Sequence, residues 1–116
     1  MSNKRIEQLT TFVEADERDM FSRFALALEY LKIADTDRAL SLFLEIREKD
    51  PAYAGLYYHL GKLYLQTGHT EKALAAFDEG IRVCEQLQEH HALKELREAK
   101  TALLFERDDD DDDDFA

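Results

Sequence analysis

Apolar residues recur at helical spacing in six separate stretches of the chain. In residues 3–15, Ile6, Leu9, Phe12 and Val13 fall at spacings that place them on one side of a helix. Glycine occurs four times and proline once, too rarely for the many turns of a sheet protein. Ala, Leu, Glu, Lys and Arg dominate, and all of them favour helices. The pattern therefore predicts an all-α chain of about six helices.

The middle of the chain contains two copies of a 34-residue pattern. Residues 20–53 and 54–87 align without a gap and share eight identities. A fixed period of this length is typical of stacked repeats. Each copy predicts a helix, a short turn and a second helix. The identities fall mainly on apolar, small and aromatic positions: Leu26/Leu60, Tyr30/Tyr64, Leu31/Leu65, Thr36/Thr70, Ala39/Ala73, Leu40/Leu74, Phe43/Phe77 and Glu45/Glu79.

Local signals predict where these helices begin and end. Gly68 suits the left-handed residue that ends a helix. Thr36 and Thr70 suit the N-caps of the helices that follow. Asp50 followed by Pro51 predicts another helix start, with Asp as the N-cap and Pro at the first helical position.

The two copies resemble the tetratricopeptide repeat. The resemblance implies a right-handed solenoid of antiparallel helical hairpins. Two residues depart from the family pattern. Arg23 stands where the family prefers an aromatic residue. Glu85 stands where the family prefers proline, so the second helix of the second copy should continue to Leu87. The residues that carry the resemblance are Leu26, Ala27, Tyr30, Ala39, Phe43, Ile46 and Pro51 in the first copy, and Tyr57, Leu60, Gly61, Tyr64, Ala73, Phe77 and Gly80 in the second.

Flanking helices are expected to cover the ends of the two repeats, because repeats of this kind bury their apolar faces only against neighbours. Residues 3–15 predict an N-terminal half-repeat, and residues 91–106 predict a capping helix with Leu93, Leu96, Ala99 and Leu103 on its apolar face. Residues 1–107 are thus predicted to form one repeat domain. Residues 108–116 are predicted to be a disordered acidic tail, because seven successive aspartates repel one another.

The first helix of each copy supplies the candidate binding residues. In the family, these positions line the concave surface where peptides lie, and the aromatic residues and the cation here suit an apolar peptide that carries an acid. Phe24 and Leu28 stand where the family's clamp for a C-terminal carboxylate needs Lys and Asn, so that ligand is not expected. The predicted groove residues are Phe21, Phe24, Leu28, Leu31, Tyr58, His59, Lys62 and Leu65.

Composition narrows the classes of partner. The 116 residues include 15 basic and 26 acidic side chains, a net charge of −11, which argues against nucleic acid. The apolar runs are too short for a membrane partner. Polar residues 1–5 indicate no signal peptide, and the single Cys84 suits a reducing compartment, so a cytoplasmic location is expected.

No catalytic residue, metal ligand or cofactor is predicted. Neighbouring His90 and His91 diverge on a helix and cannot hold one ion together. His59 and His69 have no second and third ligand at a suitable spacing, and Cys84 has no activating neighbour. A glycine-rich phosphate loop is absent from the sequence.

These observations predict an adaptor that binds a peptide or protein partner in the groove. Two alternatives stay open. The same apolar stripe could be the interface of a homodimer, or the acidic tail could act as a chaperone or decoy for basic proteins.

Overall fold

The fold is all-α, as predicted. The computed structural model describes the backbone of residues 3–113 and the side chains of residues 3–107, and no strand occurs in this range. The chain divides after Leu56 into two compact units. Six helices lie in the described part of the chain: α1 Lys4–Ala15, α2 Met20–Lys32, α3 Thr36–Lys49, α4 Leu56–Gln66, α5 Thr70–Leu87 and α6 His90–Asp113.

The N-terminal unit is built around α2, which packs against both α1 and α3. The Arg5 guanidinium donates to the Glu29 carboxylate at 3.1 Å, so α1 covers the side of α2 that carries Glu29. This explains why Glu29 is buried although the helical pattern assigns it to a polar sector. The buried apolar side chains of the unit are Leu9, Leu26, Ala27, Ala39, Phe43, Ile46 and Leu56.

Arg23 occupies a buried position in this unit, at the place where the family prefers an aromatic residue. Its Nη1 donates to the backbone carbonyl of Glu17 at 2.8 Å, and its Nε forms an ion pair with the Glu45 carboxylate at 3.3 Å. The apolar stem of the side chain fills space. The buried Nε makes no hydrogen bond, so the Glu45 carboxylate stabilises it through charge alone. Arg23 therefore joins the α1–α2 connection to α3.

The C-terminal unit pairs α4 with α5 at two glycines. The ring of Phe77 lies directly against Gly61, and Tyr57 lies directly against Gly80, so neither glycine has room for a Cβ. The Tyr57 hydroxyl also donates to the Glu79 carboxylate at 3.4 Å. α6 packs against α5, and its predicted apolar residues Leu93, Leu96 and Leu103 are buried.

The turns inside the two hairpins repeat each other. Ala34 and Gly68, which are 34 residues apart, both have a left-handed backbone, with φ of 59° and 82°. The following backbone N–H groups close the same bond in each turn, from Asp35 to Tyr30 at 2.9 Å and from His69 to Tyr64 at 2.8 Å. The prediction for Gly68 is confirmed. Ala34 was not anticipated, because alanine rarely adopts this conformation.

The predicted N-caps are wrong by one residue. Thr36 and Thr70 are the first helical residues, and the caps are Asp35 and His69. The Asp35 carboxylate accepts from the backbone N–H of Arg38 at 3.2 Å, a role for which Asp ranks above Thr. His69 makes no side-chain cap bond.

The helix start predicted at Asp50 and Pro51 is also wrong. Asp50 ends α3, its backbone N–H donating to the Ile46 carbonyl at 2.7 Å, and α4 begins only at Leu56. The ring centroid of Tyr53 lies 5.4 Å from that of Phe24. This packing holds the connection in turns and overrides the local signal.

The ends of the last two helices differ in how well they were predicted. α5 ends at Leu87, as expected from Glu85. α6 continues to Asp113, beyond the predicted end of the domain at Arg107. The physical reason is that extending an existing helix needs no new nucleation and adds one backbone hydrogen bond per residue. The part of the predicted tail at residues 114–116 lies outside the described residues.

Replacing Gly61 with alanine should destabilise the protein. The added Cβ overlaps the Phe77 ring, and overpacking of this kind costs about 1–3 kcal/mol, more than the gain in helix propensity. Urea unfolding followed by circular dichroism measures the loss. Gly55→Ala is the matched control, because the nearest side-chain atom, in Tyr53, is 3.7 Å from its Cβ. An unchanged midpoint for Gly61→Ala contradicts the close approach.

The shared geometry of the two turns predicts that Ala34→Gly and Gly68→Ala change the free energy of unfolding in opposite directions. Ala34→Gly removes the strain of a left-handed alanine and should raise the free energy of unfolding by about 0.5–1 kcal/mol. Gly68→Ala introduces that strain and should lower it by a similar amount. The same unfolding experiment applied to both variants tests the pair. Equal shifts of the same sign count against the shared turn geometry.

Candidate partner-binding surface

The predicted residues on α2 divide into one exposed aromatic and three half-buried side chains. Phe21 is 73% exposed, whereas Phe24, Leu28 and Leu31 are half-buried. The ring centroid of Phe24 lies 6.0 Å from that of Phe43 and 5.4 Å from that of Tyr53. Phe24 therefore contributes to packing, and Phe21 is the residue that α2 presents most openly.

Two large apolar residues outside the predicted groove are also exposed. Phe12 is 54% exposed, and Ile33 is 53% exposed. Phe12 lies on α1, which packs against one neighbouring helix, so a narrower stripe of it is covered than the periodicity suggests. Ile33 is the C-cap of α2 and no longer follows the helical period.

The predicted residues on α4 form an aromatic cluster with a cation. Tyr58, His59 and Leu65 are half-buried, and Lys62 is exposed. The Lys62 ammonium lies 6.0 Å from the centre of the Tyr58 ring, within the range of a cation–π contact. The His59 ring meets Tyr58 edge-on, with centroids 5.5 Å apart. The Tyr58 ring therefore contacts both the Lys62 ammonium and the His59 ring.

The surroundings of His59 shift the pKa of its imidazole. Burial lowers the pKa of His59 below its ordinary value of 6.5, and the Glu95 carboxylate partly opposes this effect. The imidazole is therefore neutral at pH 7. Lys62 thus supplies positive charge to this cluster while His59 supplies a neutral ring.

A cleft of about 550 Å³ adjoins Lys62 and Leu65 in the C-terminal unit. The Arg107 guanidinium on its wall pairs with the Glu71 carboxylate at 3.1 Å. Sequence reasoning did not assign Arg107 to the site, although its spacing of four from Leu103 places both on one face of α6. The remaining lining residues are Gln66, Thr70, Leu103 and Glu106.

The described residues contain neither a metal centre nor a membrane-spanning helix. No group of three or more His, Cys, Asp or Glu side chains there is placed to hold a metal ion. None of the helices found in that range combines the length and the apolar character that crossing a membrane demands. Cys84 is buried, and burial raises the pKa of its thiol, which is therefore protonated at neutral pH.

Comparison with known proteins establishes the family. Residues 30–96 match the family model described as tetratricopeptide repeat. The solution structure of a tetratricopeptide repeat domain protein from Salinibacter ruber is 44% identical, covers 76% of this chain and 89% of its own, and has a TM-score of 0.72. This chain belongs to the tetratricopeptide repeat family, and the resemblance inferred from its sequence is confirmed.

More distant structures share the fold. A protein from Bordetella parapertussis is 24% identical, with 91% of each chain covered and a TM-score of 0.77. The TPR2B domain of yeast Sti1, in a complex with pHsp70, is 14% identical, with 87% of this chain and 81% of that chain covered and a TM-score of 0.80. No curated protein sequence matches the chain. The chain thus has the fold of a family of protein-interaction scaffolds, which is not a family of enzymes.

The lowered pKa of His59 predicts a pH dependence of stability. Below pH 6.5 the unfolded chain binds a proton that the folded chain does not, so stability should fall as the pH falls through this value. The variant His59→Gln should lose less stability over the same interval. Urea midpoints of both proteins between about pH 7.5 and pH 5.5 measure the difference. Parallel curves contradict the assignment to His59.

Proposed function

We propose that this protein binds a peptide segment of a partner protein through the exposed apolar face of α2 in the N-terminal unit, and that the exposed face of α4 in the C-terminal unit also binds partner residues. The main support for this proposal is the apolar face of α2, where Phe21 is 73% exposed beside the half-buried Phe24, Leu28 and Leu31. Burying one such aromatic side chain in a complex is worth about 1.5–3 kcal/mol. A ligand with apolar side chains is therefore the kind that this face stabilises.

The α4 face supports the same proposal with a different chemistry. Tyr58 presents an aromatic ring with a polar tip, a residue type enriched at the energetic centres of interfaces. Lys62 is exposed beside it, and no carboxylate pairs with Lys62 among the described side chains. A partner segment that combines apolar residues with an acid suits the α4 face.

The fold supports binding of this general kind. The TPR2B domain of yeast Sti1, whose structure contains pHsp70, has a closely similar fold. At 14% identity this similarity supports the mode of action, a helical-repeat domain in complex with another protein, and does not identify the partner. A cytoplasmic location remains part of the proposal, since the single thiol, Cys84, is buried and free.

A homodimer through the same α2 face is the second candidate, and the exposure of Phe21 favours it to the same degree. An acidic-tail chaperone or decoy receives no support from the described side chains, which end at residue 107. Sedimentation velocity of the purified protein separates the first two functions. A concentration-dependent dimer that Phe21→Glu converts to a monomer favours self-association, whereas a monomer at all concentrations excludes it.

Substitution of exposed aromatic residues tests the proposed surface. Phe21→Glu and Tyr58→Ala should each abolish or strongly reduce capture of the proteins that the wild-type chain retains from its source cell, because each removes an apolar anchor. Phe21 is preferable to Phe24, whose ring packs against Phe43 and Tyr53. Quantitative mass spectrometry of the retained proteins gives the measurement.

The matched controls are Phe12→Glu and Phe105→Glu, which change exposed aromatic residues outside the proposed surface. Their circular dichroism spectra and their retained partners should equal those of the wild type. If the controls and the surface variants behave alike, the binding surface lies elsewhere.

A further inference from the structure

The connection that follows α3 places a tyrosine beside the aromatic residues of α2. The backbone N–H of Tyr53 donates to the Asp50 carbonyl at 3.0 Å, which closes a turn at the end of α3. The ring centroid of Tyr53 lies 5.4 Å from that of Phe24, and Phe21 lies one turn before Phe24 on the same side of α2. Phe21, Phe24 and Tyr53 are called the aromatic end of the α2 face, and all three belong to the N-terminal unit.

Two polar groups at this aromatic end have no partner among the described residues. Within that part of the chain, the Asp50 carboxylate forms neither an ion pair nor a hydrogen bond, and the Tyr53 hydroxyl forms no hydrogen bond. Both side chains are half-buried. Each offers an oxygen that can accept a hydrogen bond. The aromatic end of the α2 face therefore has two acceptors that a ligand can use.

The Asp19 carboxylate adds negative charge at the same place. It is the N-cap of α2 and accepts from the Ser22 hydroxyl at 2.6 Å and from the Ser22 backbone N–H at 2.9 Å. These two bonds lower the pKa of Asp19, which is therefore ionised at neutral pH. Burial raises the pKa of the Tyr53 hydroxyl above its ordinary value of 10.0, and the Asp50 and Asp19 carboxylates raise it further. Both carboxylates thus act on the Tyr53 hydroxyl.

The charge at this end of α2 is negative even when the neighbouring cations are counted. A cleft of about 320 Å³ adjoins it, and two anions and two cations make its lining neutral. Asp16 and Asp19 lie outside that lining and add two carboxylates. The charge of buried Arg23 is balanced by its ion pair with Glu45. Two negative charges therefore remain in excess. The lining residues of the cleft are Glu17, Arg18, Met20, Lys49 and Asp50.

We propose that the aromatic end of the α2 face binds a lysine or arginine side chain of the partner segment, with its cationic group donating to the Asp50 carboxylate and the Tyr53 hydroxyl and its aliphatic stem against Phe21. The proposal rests on the proposed function, which it deepens by naming the chemistry of one ligand residue. The face of an exposed aromatic ring attracts a cation, and its apolar surface suits the stem of a long basic side chain. The net charge of −11 favours the approach of a basic segment over that of an acidic one. The ligand class is a segment in which Lys or Arg adjoins apolar residues.

The test uses a short fluorescent peptide of leucine and arginine, acetylated and amidated so that it has no terminal charges. A second peptide has citrulline, the uncharged analogue of arginine, at each arginine position. The two peptides differ in charge and hardly in shape. Fluorescence anisotropy with the full chain should give an affinity about tenfold higher for the arginine peptide at about 0.15 M salt, which screens distant charges.

Variants of the two acceptors make the test specific. Asp50→Asn should weaken binding of the arginine peptide about fivefold, and Tyr53→Phe about twofold, with smaller effects on the citrulline peptide. Asp37→Asn is the matched control, because it removes the same charge from an exposed position in the first turn of α3, about 20 Å along the helix from Asp50. It should change either affinity by less than about 1.5-fold, since screening limits its effect at that distance.

The outcomes separate this inference from the proposed function. Equal binding of the two peptides, or equal effects of Asp50→Asn and Asp37→Asn, overturns the basic-ligand proposal. Phe21→Ala should weaken both peptides and so tests the α2 face independently. Tighter binding of a peptide with glutamate in place of arginine assigns an acidic segment to this face and overturns the proposal. Absence of binding by every peptide also overturns it, and a dimer that Phe21→Glu converts to a monomer then assigns a second copy of the chain to the face.

Discussion

The close approach of α4 and α5 at Gly61 and Gly80 is the constraint on which the C-terminal unit depends. Phe77 and Tyr57 lie against these glycines and are fully buried. On α4, Tyr57 and Gly61 are each followed by a residue turned about 100° around the helix. Because Tyr57 and Gly61 must face α5, Tyr58 and Lys62 are directed away from it. The packing of the hairpin thus determines which chemistry reaches the surface.

Much of this arrangement could be predicted from the sequence, because residues at equivalent positions of the two repeats make equivalent packing contacts. The 34-residue period related Tyr30 to Tyr64, and the structure adds a cation to each ring, Arg38 at 5.6 Å and Lys72 at 5.8 Å. It also related the turn at Gly68 to that at Ala34. Alanine alone gives no signal of a left-handed backbone, so the shared turn follows from the repeat rather than from the residue.

The features that sequence reasoning missed depend on tertiary packing. The late start of α4 reflects the contact of Tyr53 with Phe24, which no local pattern contains. The difference between exposed Phe21 and half-buried Phe24 depends on the same contact, because periodicity assigns both to one stripe. Arg107 lines the cleft because α6 continues past residue 106, the predicted end of the capping helix, and places this side chain beside Glu71. When composition alone is considered, a run of aspartates predicts that the folded structure ends where the run begins.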